Sequence, residues 1–163
     1  MGKILENAIL FQQRDYPGLS RDFADCGCAA CCAATIASIL EETEVTPKEL
    51  RDRGVFTEKT CFVYWSKISS RYVFHPREHR GNGLLSRALE TIKKEIDAGR
   101  PVLLNISGHN WPHYAVAYGY ENRCAVDWDV LIREPWDGRS HLNEVWKTWP
   151  YFEGINRVIW VKK

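Results

Sequence analysis

Apolar and small residues form one uninterrupted run near the start of the chain. Residues 26–40 contain no charged side chain, and Ala, Cys, Ile and Leu occupy every side of the helix that this run would form. A helix that is apolar all round is buried on all sides. The pattern therefore predicts a buried helix over residues 26–41, directly after Asp25.

Two further helices are predicted from their end signals and their periodicity. Thr46-Pro47-Lys48-Glu49 combines a capping box with Pro at the first helical position, and Gly54 follows as a stop, which predicts a helix over residues 47–53. Between Asn82 and Gly99, Leu, Ala and Ile recur at helical spacing. This spacing predicts a third, amphipathic helix there.

The chain changes character after Gly99, where short stretches rich in Val, Ile and aromatic residues are separated by Gly, Asn or Pro. The predicted strands are Val102–Ile106, Tyr114–Tyr120, Val126–Arg133 and Val158–Lys162. Residues 121–123 suggest a tight turn, so the second and third strands are expected to be antiparallel neighbours. Residues 56–80 are ambiguous, because Phe62, Trp65 and Ile68 fit a helix while residues 72–74 fit an edge strand.

Helices first and strands afterwards are typical of an α+β fold, in which the buried helix packs on an antiparallel sheet. We expect one domain over residues 1–163, because the chain shows no repeat or linker and is long enough to bury a core. A cysteine on that helix and a histidine on the sheet could then meet.

Charge and hydropathy narrow the classes of partner. Lys and Arg number 22 against 21 Asp and Glu, so the net charge of +1 offers no field that would attract nucleic acid. No apolar stretch is long enough for a signal peptide or a membrane span. The sequence therefore predicts a cytoplasmic, soluble protein without membrane insertion.

Four of the six cysteines lie within seven positions, and Cys26 stands first among them. A thiol at the start of a helix faces unpaired amides and the positive end of the helix dipole, which favour the reactive thiolate. Cys26 is therefore the predicted nucleophile, whereas Cys28, Cys31 and Cys32 are predicted to be buried packing residues. One continuous helix cannot point four thiols at a metal ion, so we expect mostly free thiols and no metal or cofactor.

A cysteine nucleophile needs an imidazole as its base. His113 opens an apolar strand that would hold its ring rigidly, whereas His109 lies in a Gly, Asn and Pro loop. His113 is the predicted base.

Five stretches of the chain occur in the order seen in papain-superfamily cysteine peptidases. They are Gln13-Arg14-Asp15, Asp25-Cys26-Gly27, Gly99-Arg100-Pro101-Val102, His113-Tyr114-Ala115-Val116 with Gly119-Tyr120, and Glu134-Pro135-Trp136. From about residue 11 to residue 138, the chain resembles the bacteriocin-leader-processing (double-glycine) peptidase-like group. Each stretch is weakly specific, and their common order carries the resemblance.

The resemblance implies a papain-like fold and a thioester acyl-enzyme that forms on a peptide or protein substrate. Cys26 would be the nucleophile, and His113 the base that later protonates the leaving group. Gln13 would join the backbone N–H of Cys26 in an oxyanion hole. Glu134 would orient the imidazole of His113.

The chain departs from the family pattern at two of these positions. Glu134 replaces the usual Asp, which leaves Asp137 and Asp129 as alternative orienting groups and lets Arg133 compete for the Glu134 charge. Cys28 stands where the family often has Pro, which adds a second thiol within one turn of Cys26.

Other functions share this residue set. Trp111 beside His113 and Trp136 beside Glu134 are the aromatic residues expected nearest a substrate cleft. Acyl transfer, as in transglutaminases, would use the same catalytic residues. An inactive peptide-binding member of the fold and a thiol-redox protein, which would pair Cys26 with Cys28 or Cys31, are the remaining alternatives.

Overall fold

The structure is a computed structural model that describes residues 1–14, 16–71, 73–78, 84–108, 113–148 and 152–162. The helices are α1 (Arg21–Cys26), α2 (Cys28–Glu41), α3 (Pro47–Asp52), α4 (Leu84–Asp97) and α5 (Leu142–Thr148). The strands are β1 (Lys3–Ile4), β2 (Val73–Glu78), β3 (Val102–Gly108), β4 (His113–Tyr120), β5 (Val130–Arg133) and β6 (Phe152–Lys162). Two short 3-10 helices cover Trp65–Lys67 and Asp127–Asp129.

All of these strands join one antiparallel sheet in the order β1-β4-β3-β6-β2, and β5 also pairs with β4. Helices cover both faces of this sheet. On one face, Cys32 and Ile36 of α2 pack against Leu103 and Val116. On the other face, the apolar side of α4 packs against alternate residues of the same strands, among them Leu104. The predicted α+β, papain-like arrangement, with a buried N-terminal helix on an antiparallel sheet, is confirmed.

The helix α2 is buried on every side, as its uncharged sequence predicts. Its second side packs against a separate apolar cluster that includes Phe23 of α1 and Leu50 of α3. Small residues such as Ala33 and Ala37, each fully buried in this cluster, allow a close approach on this side of the helix. The helix that begins at Cys28 is thereby held in place by packing.

The predicted helix over residues 47–53 is confirmed as α3, with both bonds of the capping box formed between Thr46 and Glu49. The helix between Asn82 and Gly99 is confirmed as α4. The predicted strands after Gly99 are found, with one correction. Residues 127–129 form a 3-10 turn, because the Asp129 carboxylate accepts hydrogen bonds from Asn122 Nδ2 (2.8 Å) and the Ala125 amide (3.1 Å).

The ambiguous stretch 56–80 contains both of the expected elements, a helix that is reduced to one short turn and an edge strand that is longer than expected. Trp65–Lys67 is a 3-10 turn, and Val73–Glu78 is an edge strand that pairs with β6. None of the helices described in the structure is long and apolar enough to cross a membrane.

Candidate active site

A break between two helices at Gly27 separates Cys26 from Cys28. The helix α1 ends at Cys26, and the Gly27 amide donates a hydrogen bond to Phe23 O at 2.8 Å. A Cβ atom at position 27 would lie 2.6 Å from that oxygen and 2.8 Å from the Phe23 ring. Only Gly fits there, and the next helix, α2, begins at Cys28. The prediction that the helix begins at Cys26 is wrong by these two residues.

Because of this break, Cys26 and Cys28 lie at opposite ends of two different helix dipoles. Cys26 is the last residue of α1, at the negative end of that helix dipole, where a thiolate is disfavoured. Cys28 is the first residue of α2, next to the helix amides that have no partner within the helix. The helix-start position that was predicted for Cys26 is therefore occupied by Cys28.

Cys26 is also bonded covalently to another residue. Its sulfur forms a disulfide with Cys61, and the two Cα atoms are 5.7 Å apart. A disulfide sulfur has no proton to lose and cannot attack a carbonyl as a thiolate. The structure thus corrects the assignment of Cys26 as the nucleophile, and it corrects the expectation that Cys26 and Cys61 are free thiols.

Cys28 is a free, half-buried thiol, and its side chain is hydrogen-bonded to His113. The predicted packing role of Cys28 is thereby corrected. Cys31 and Cys32 are fully buried, and burial raises the pKa of both thiols well above the usual value. The predicted packing role fits these two residues.

His113 begins β4 and is 8% exposed. Its Nε2 lies 2.6 Å from Glu134 Oε1, which leaves Nδ1 as the ring nitrogen for the Cys28 thiol. Burial lowers the pKa of His113, but hydrogen bonds to Cys28 and Glu134 outweigh it and raise this pKa to about 9. The imidazolium form of His113 is therefore stabilised between these two partners at neutral pH.

Glu134 is completely buried at the end of β5, where the chain turns. Burial alone would raise the pKa of Glu134, but the contact with His113 and two backbone amides hold it below its usual value. The amides of Trp136 and Asp137 donate to the two carboxylate oxygens at 2.6 and 2.9 Å. These bonds place the longer Glu side chain at the His113 ring.

The alternative orienting groups have other partners. Asp129 is used in the turn before β5, as described above. Asp137 forms ion pairs with Arg139 (2.8 Å) and Arg14 (3.5 Å). Arg133 donates to Ala8 O at 2.6 Å and lies over the Tyr118 ring, so its charge is directed away from Glu134.

Gln13 is 2% exposed and is held from both its backbone and its side chain. Its backbone N–H donates to Pro135 O at 3.0 Å, next to Glu134. Its side-chain Nε2 donates to Ala24 O at 3.1 Å, near the end of α1. The Ala24 acceptor sets the orientation of the amide group. Gln13 thus connects the turn that contains Glu134 with α1, the helix that ends at Cys26.

Of the two tryptophans expected near a cleft, Trp136 lies in the Glu134 turn with Arg14 at 4.8 Å over its ring. Trp111 falls outside the described residues. The described residues contain no group of His, Cys, Asp or Glu side chains arranged to hold a metal ion.

Sequence reasoning missed Cys28 because it treated Cys26-Gly27-Cys28 as continuous helix. The signal that could have found it is Gly27, since Gly commonly marks a helix end. A reading with a stop at Gly27 moves the helix start to Cys28.

An α+β fold with a cysteine at the start of a buried helix and a His–carboxylate pair on the adjoining sheet defines a papain-like protein. A family model, the Peptidase_C39 like family, matches residues 5–156. The chain belongs to this family, which indicates a cysteine peptidase-type function. No curated protein matches the chain.

Proposed function

We propose that this protein is a cysteine peptidase that cleaves a peptide or protein substrate through a Cys28 acyl-enzyme. The observation that carries the proposal is the chain of side-chain contacts from Cys28 to His113 and from His113 to Glu134. A thiol, an imidazole and a buried carboxylate in this order match the roles of nucleophile, base and orienting group.

The chemistry would begin from an ion pair in which the proton of the Cys28 thiol is already held by His113. The thiolate attacks the carbonyl carbon of the scissile bond, and the carbonyl π electrons move onto its oxygen. The backbone N–H of Cys28 and the Gln13 side-chain amide would stabilise this oxyanion. When the tetrahedral intermediate collapses, the C–N bond breaks, and His113 protonates the departing amine.

The remaining Cys28 thioester is hydrolysed in the second half of the reaction. His113, now neutral, removes a proton from a water molecule, which attacks the thioester carbonyl. The C–S bond breaks, the carboxylic acid product leaves, and the proton held by His113 restores the starting pair. Glu134 keeps the ring oriented and stabilises its cationic form in both halves.

The inactive binding alternative depended on Glu134 being misplaced relative to the usual Asp. Its carboxylate oxygen instead lies 2.6 Å from His113 Nε2, a distance that supports an active site. We also propose that residues 1–163 form one domain, because β1 and β6, near opposite ends of the chain, belong to one sheet.

The test is alkylation by iodoacetamide at about pH 6, well below the pKa near 8.5 of a free thiol. Peptide mapping then identifies the modified cysteine. We expect rapid modification of Cys28 that is lost in His113→Ala. The matched pair of controls is Cys28→Ser, which should not react at this pH, and the double variant Cys26→Ser/Cys61→Ser, which should.

The same experiment after reduction with a phosphine decides between the two candidate thiols. Reduction frees Cys26 and Cys61, so all candidates are then present as thiols. Acid-pH modification of Cys26 rather than Cys28 would return the nucleophile to Cys26. Modification of neither residue below pH 8 would reject the enzyme proposal.

A further inference from the structure

Arg139 is a largely buried cation beside the carboxylate that holds His113. Its side chain is 13% exposed, and its Nη1 lies 4.0 Å from Glu134 Oε2. This guanidinium keeps its charge, because an arginine side chain is not deprotonated in proteins. The row of side chains at the candidate site therefore continues beyond Glu134 to a permanent positive charge.

Backbone hydrogen bonds fix Arg139 in this place. After β5 the chain turns at Glu134, whose carbonyl oxygen accepts a hydrogen bond from the Gly138 amide at 3.0 Å. Gly138 has a φ of 73°, a conformation that favours glycine. The Ile132 amide then donates to Ser140 O at 2.8 Å, so Arg139 lies on a segment that runs back beside β5. The backbone thus holds Arg139 next to Glu134.

Arg139 differs in charge from the other described partners of the Glu134 carboxylate. Oε1 lies 2.6 Å from His113 Nε2 and accepts from the Trp136 amide at 2.6 Å. Oε2 accepts from the Asp137 amide at 2.9 Å and faces Arg139. The two amides are neutral, and His113 changes its charge during the proposed reaction. Arg139 is the partner whose positive charge persists through the whole cycle.

This charge matters most when His113 is neutral, after it has protonated the departing amine. Glu134, which is completely buried, then faces an uncharged ring. Burial without a cationic partner favours the protonated form of a carboxylate. A protonated Glu134 would donate to Nε2, so Nδ1 would carry the ring proton and could not remove one from water. We call His113 and Glu134 the His–Glu pair.

We propose that Arg139 is a positioning residue that keeps Glu134 ionised while His113 is neutral. It thereby keeps Nδ1 of the ring available to activate the water that hydrolyses the thioester. This inference rests on the proposed function and adds a residue to the second half of its reaction. Arg139 acts through Glu134 and does not need to contact the substrate.

Other charged or titratable groups around the His–Glu pair set the size of this effect. Asp137 Oδ2 lies 2.8 Å from the same Nη1 of Arg139 and offsets part of its charge. Arg14, which is half exposed, lies 3.5 Å from Asp137 Oδ1. On the helix side the pair faces the thiols of Cys28 and Cys32. Burial keeps Cys32 neutral by raising its pKa, and in the acyl-enzyme Cys28 is an uncharged thioester.

The charges of Arg139 and Asp137 predict shifts of opposite sign. Arg139→Gln removes a positive charge, so the His–Glu pair binds a proton more tightly and its apparent pKa rises. Asp137→Asn removes the offsetting negative charge, so this apparent pKa falls. Arg139→Lys keeps the charge and should preserve the parent value. A merely structural role of Arg139 would not produce shifts of opposite sign.

The experiment follows thioester hydrolysis alone, the step in which His113 acts as a neutral base. The protein is acetylated with 4-nitrophenyl acetate, peptide mapping confirms Cys28 as the site, and excess ester is removed by desalting. Loss of the acetyl group is then followed by mass spectrometry between about pH 4 and pH 9. The variants are the parent, Arg139→Gln, Arg139→Lys and Asp137→Asn. Arg14→Gln is the matched control, because Arg14 pairs with the same Asp137 but is exposed and screened by solvent.

We expect the rate in the parent to rise with pH to a plateau. Arg139→Gln should move the rising limb up by roughly one pH unit, so that hydrolysis below it is about tenfold slower while the plateau is unchanged. Arg139→Lys and Arg14→Gln should stay near the parent, and Asp137→Asn should move the limb down.

Three results in folded variants overturn this inference alone. They are an Arg139→Gln profile equal to that of the parent, one lowered equally at every pH, and an Arg14→Gln shift as large as that of Arg139→Gln. If Arg139→Gln does not fold, Asp137→Asn decides, and a limb that does not move down overturns the inference. Failure of the ester to acetylate Cys28 in the parent overturns the proposed function and this inference together.

Discussion

Cys26 and Cys28 are separated by one residue, yet Cys26 ends α1 and Cys28 begins α2. Along a helical path, residues two apart point to nearly opposite sides. The Cys26 sulfur is therefore bonded to Cys61, whereas the Cys28 thiol is hydrogen-bonded to His113. This division also stands against the thiol-redox alternative that pairs Cys26 with Cys28 in a local disulfide.

The first prediction concerns the disulfide. Replacing both partners in Cys26→Ser/Cys61→Ser should lower the free energy of unfolding by about 3–4 kcal/mol, because the bond closes a loop with a sequence separation of 35. Urea denaturation of the oxidised parent and of the variant measures this difference. Parent protein treated with reductant should show the same loss, and equal stability of all three forms would contradict a bond between these cysteines.

The second prediction concerns Gly27. In Gly27→Ala the new methyl group meets Phe23 O and the Phe23 ring, so the junction of α1 and α2 must shift. We expect a loss of about 1–3 kcal/mol in stability, as for overpacked sites, and slower acid-pH alkylation of Cys28. Urea denaturation and iodoacetamide kinetics report the two effects separately. Unchanged alkylation would show that the start of α2 does not depend on this contact.

The third prediction concerns the length and charge of the orienting group. Glu134→Gln keeps the shape but removes the charge that stabilises the His113 imidazolium, so kcat/KM should fall by roughly 10²–10⁴-fold. Glu134→Asp keeps the charge but withdraws it by one methylene, and a fall of about 10–100-fold is expected. The measurement is peptide hydrolysis with a substrate found by scanning candidate peptides, including double-glycine leaders. Full activity in Glu134→Asp would show that the extra methylene has no positional role.

The elements that the sequence predicted correctly have local causes. The helix α3 depends on bonds between Thr46 and Glu49, three residues apart, and a sequence motif records such bonds directly. The periodicity of α4 likewise records which side is buried. The stretch 126–129 resembled a strand because its apolar pattern does not show that the Asp129 carboxylate would bond the turn before it.

The candidate site depended on contacts between distant residues, and there the sequence was less informative. The order of Gln13, His113 and Glu134 was visible, and the structure brings His113 and Glu134 into contact. The choice between Cys26 and Cys28 depended on the partner of Cys61, which the sequence alone did not specify. A one-residue break at Gly27 then decided which thiol begins a helix.

The fourth prediction concerns Gln13. Gln13→Ala would remove one of the two proposed oxyanion donors, and kcat should fall by about 10²–10³-fold with a smaller change in KM. Gln12→Ala is the matched control, because Gln12 is an exposed neighbour of the same type. Alkylation of Cys28 by iodoacetamide forms no oxyanion, so Gln13→Ala should leave this rate nearly unchanged. A parallel fall in both rates would indicate instead that Gln13 supports the local fold.

The fifth prediction concerns the proton on His113. Hydrogen bonds to Cys28 and Glu134 raise the pKa of His113 to about 9 against the opposing effect of burial. In Cys28→Ala or Glu134→Gln one of these partners is lost while the burial remains, so the pKa of His113 should move down in each variant. NMR titration of the ring resonances, assigned by their loss in His113→Gln, measures the shift.

The pKa of His113 also sets the alkaline limit of activity. Because His113 must donate a proton to the leaving amine, kcat/KM should decline as the pH rises through about 9, where the imidazolium of the parent loses its proton. A parent pKa near the ordinary value of 6.5, or one that Cys28→Ala does not lower, would show that Cys28 and His113 are not coupled, and the nucleophile would then have to be sought elsewhere in the chain.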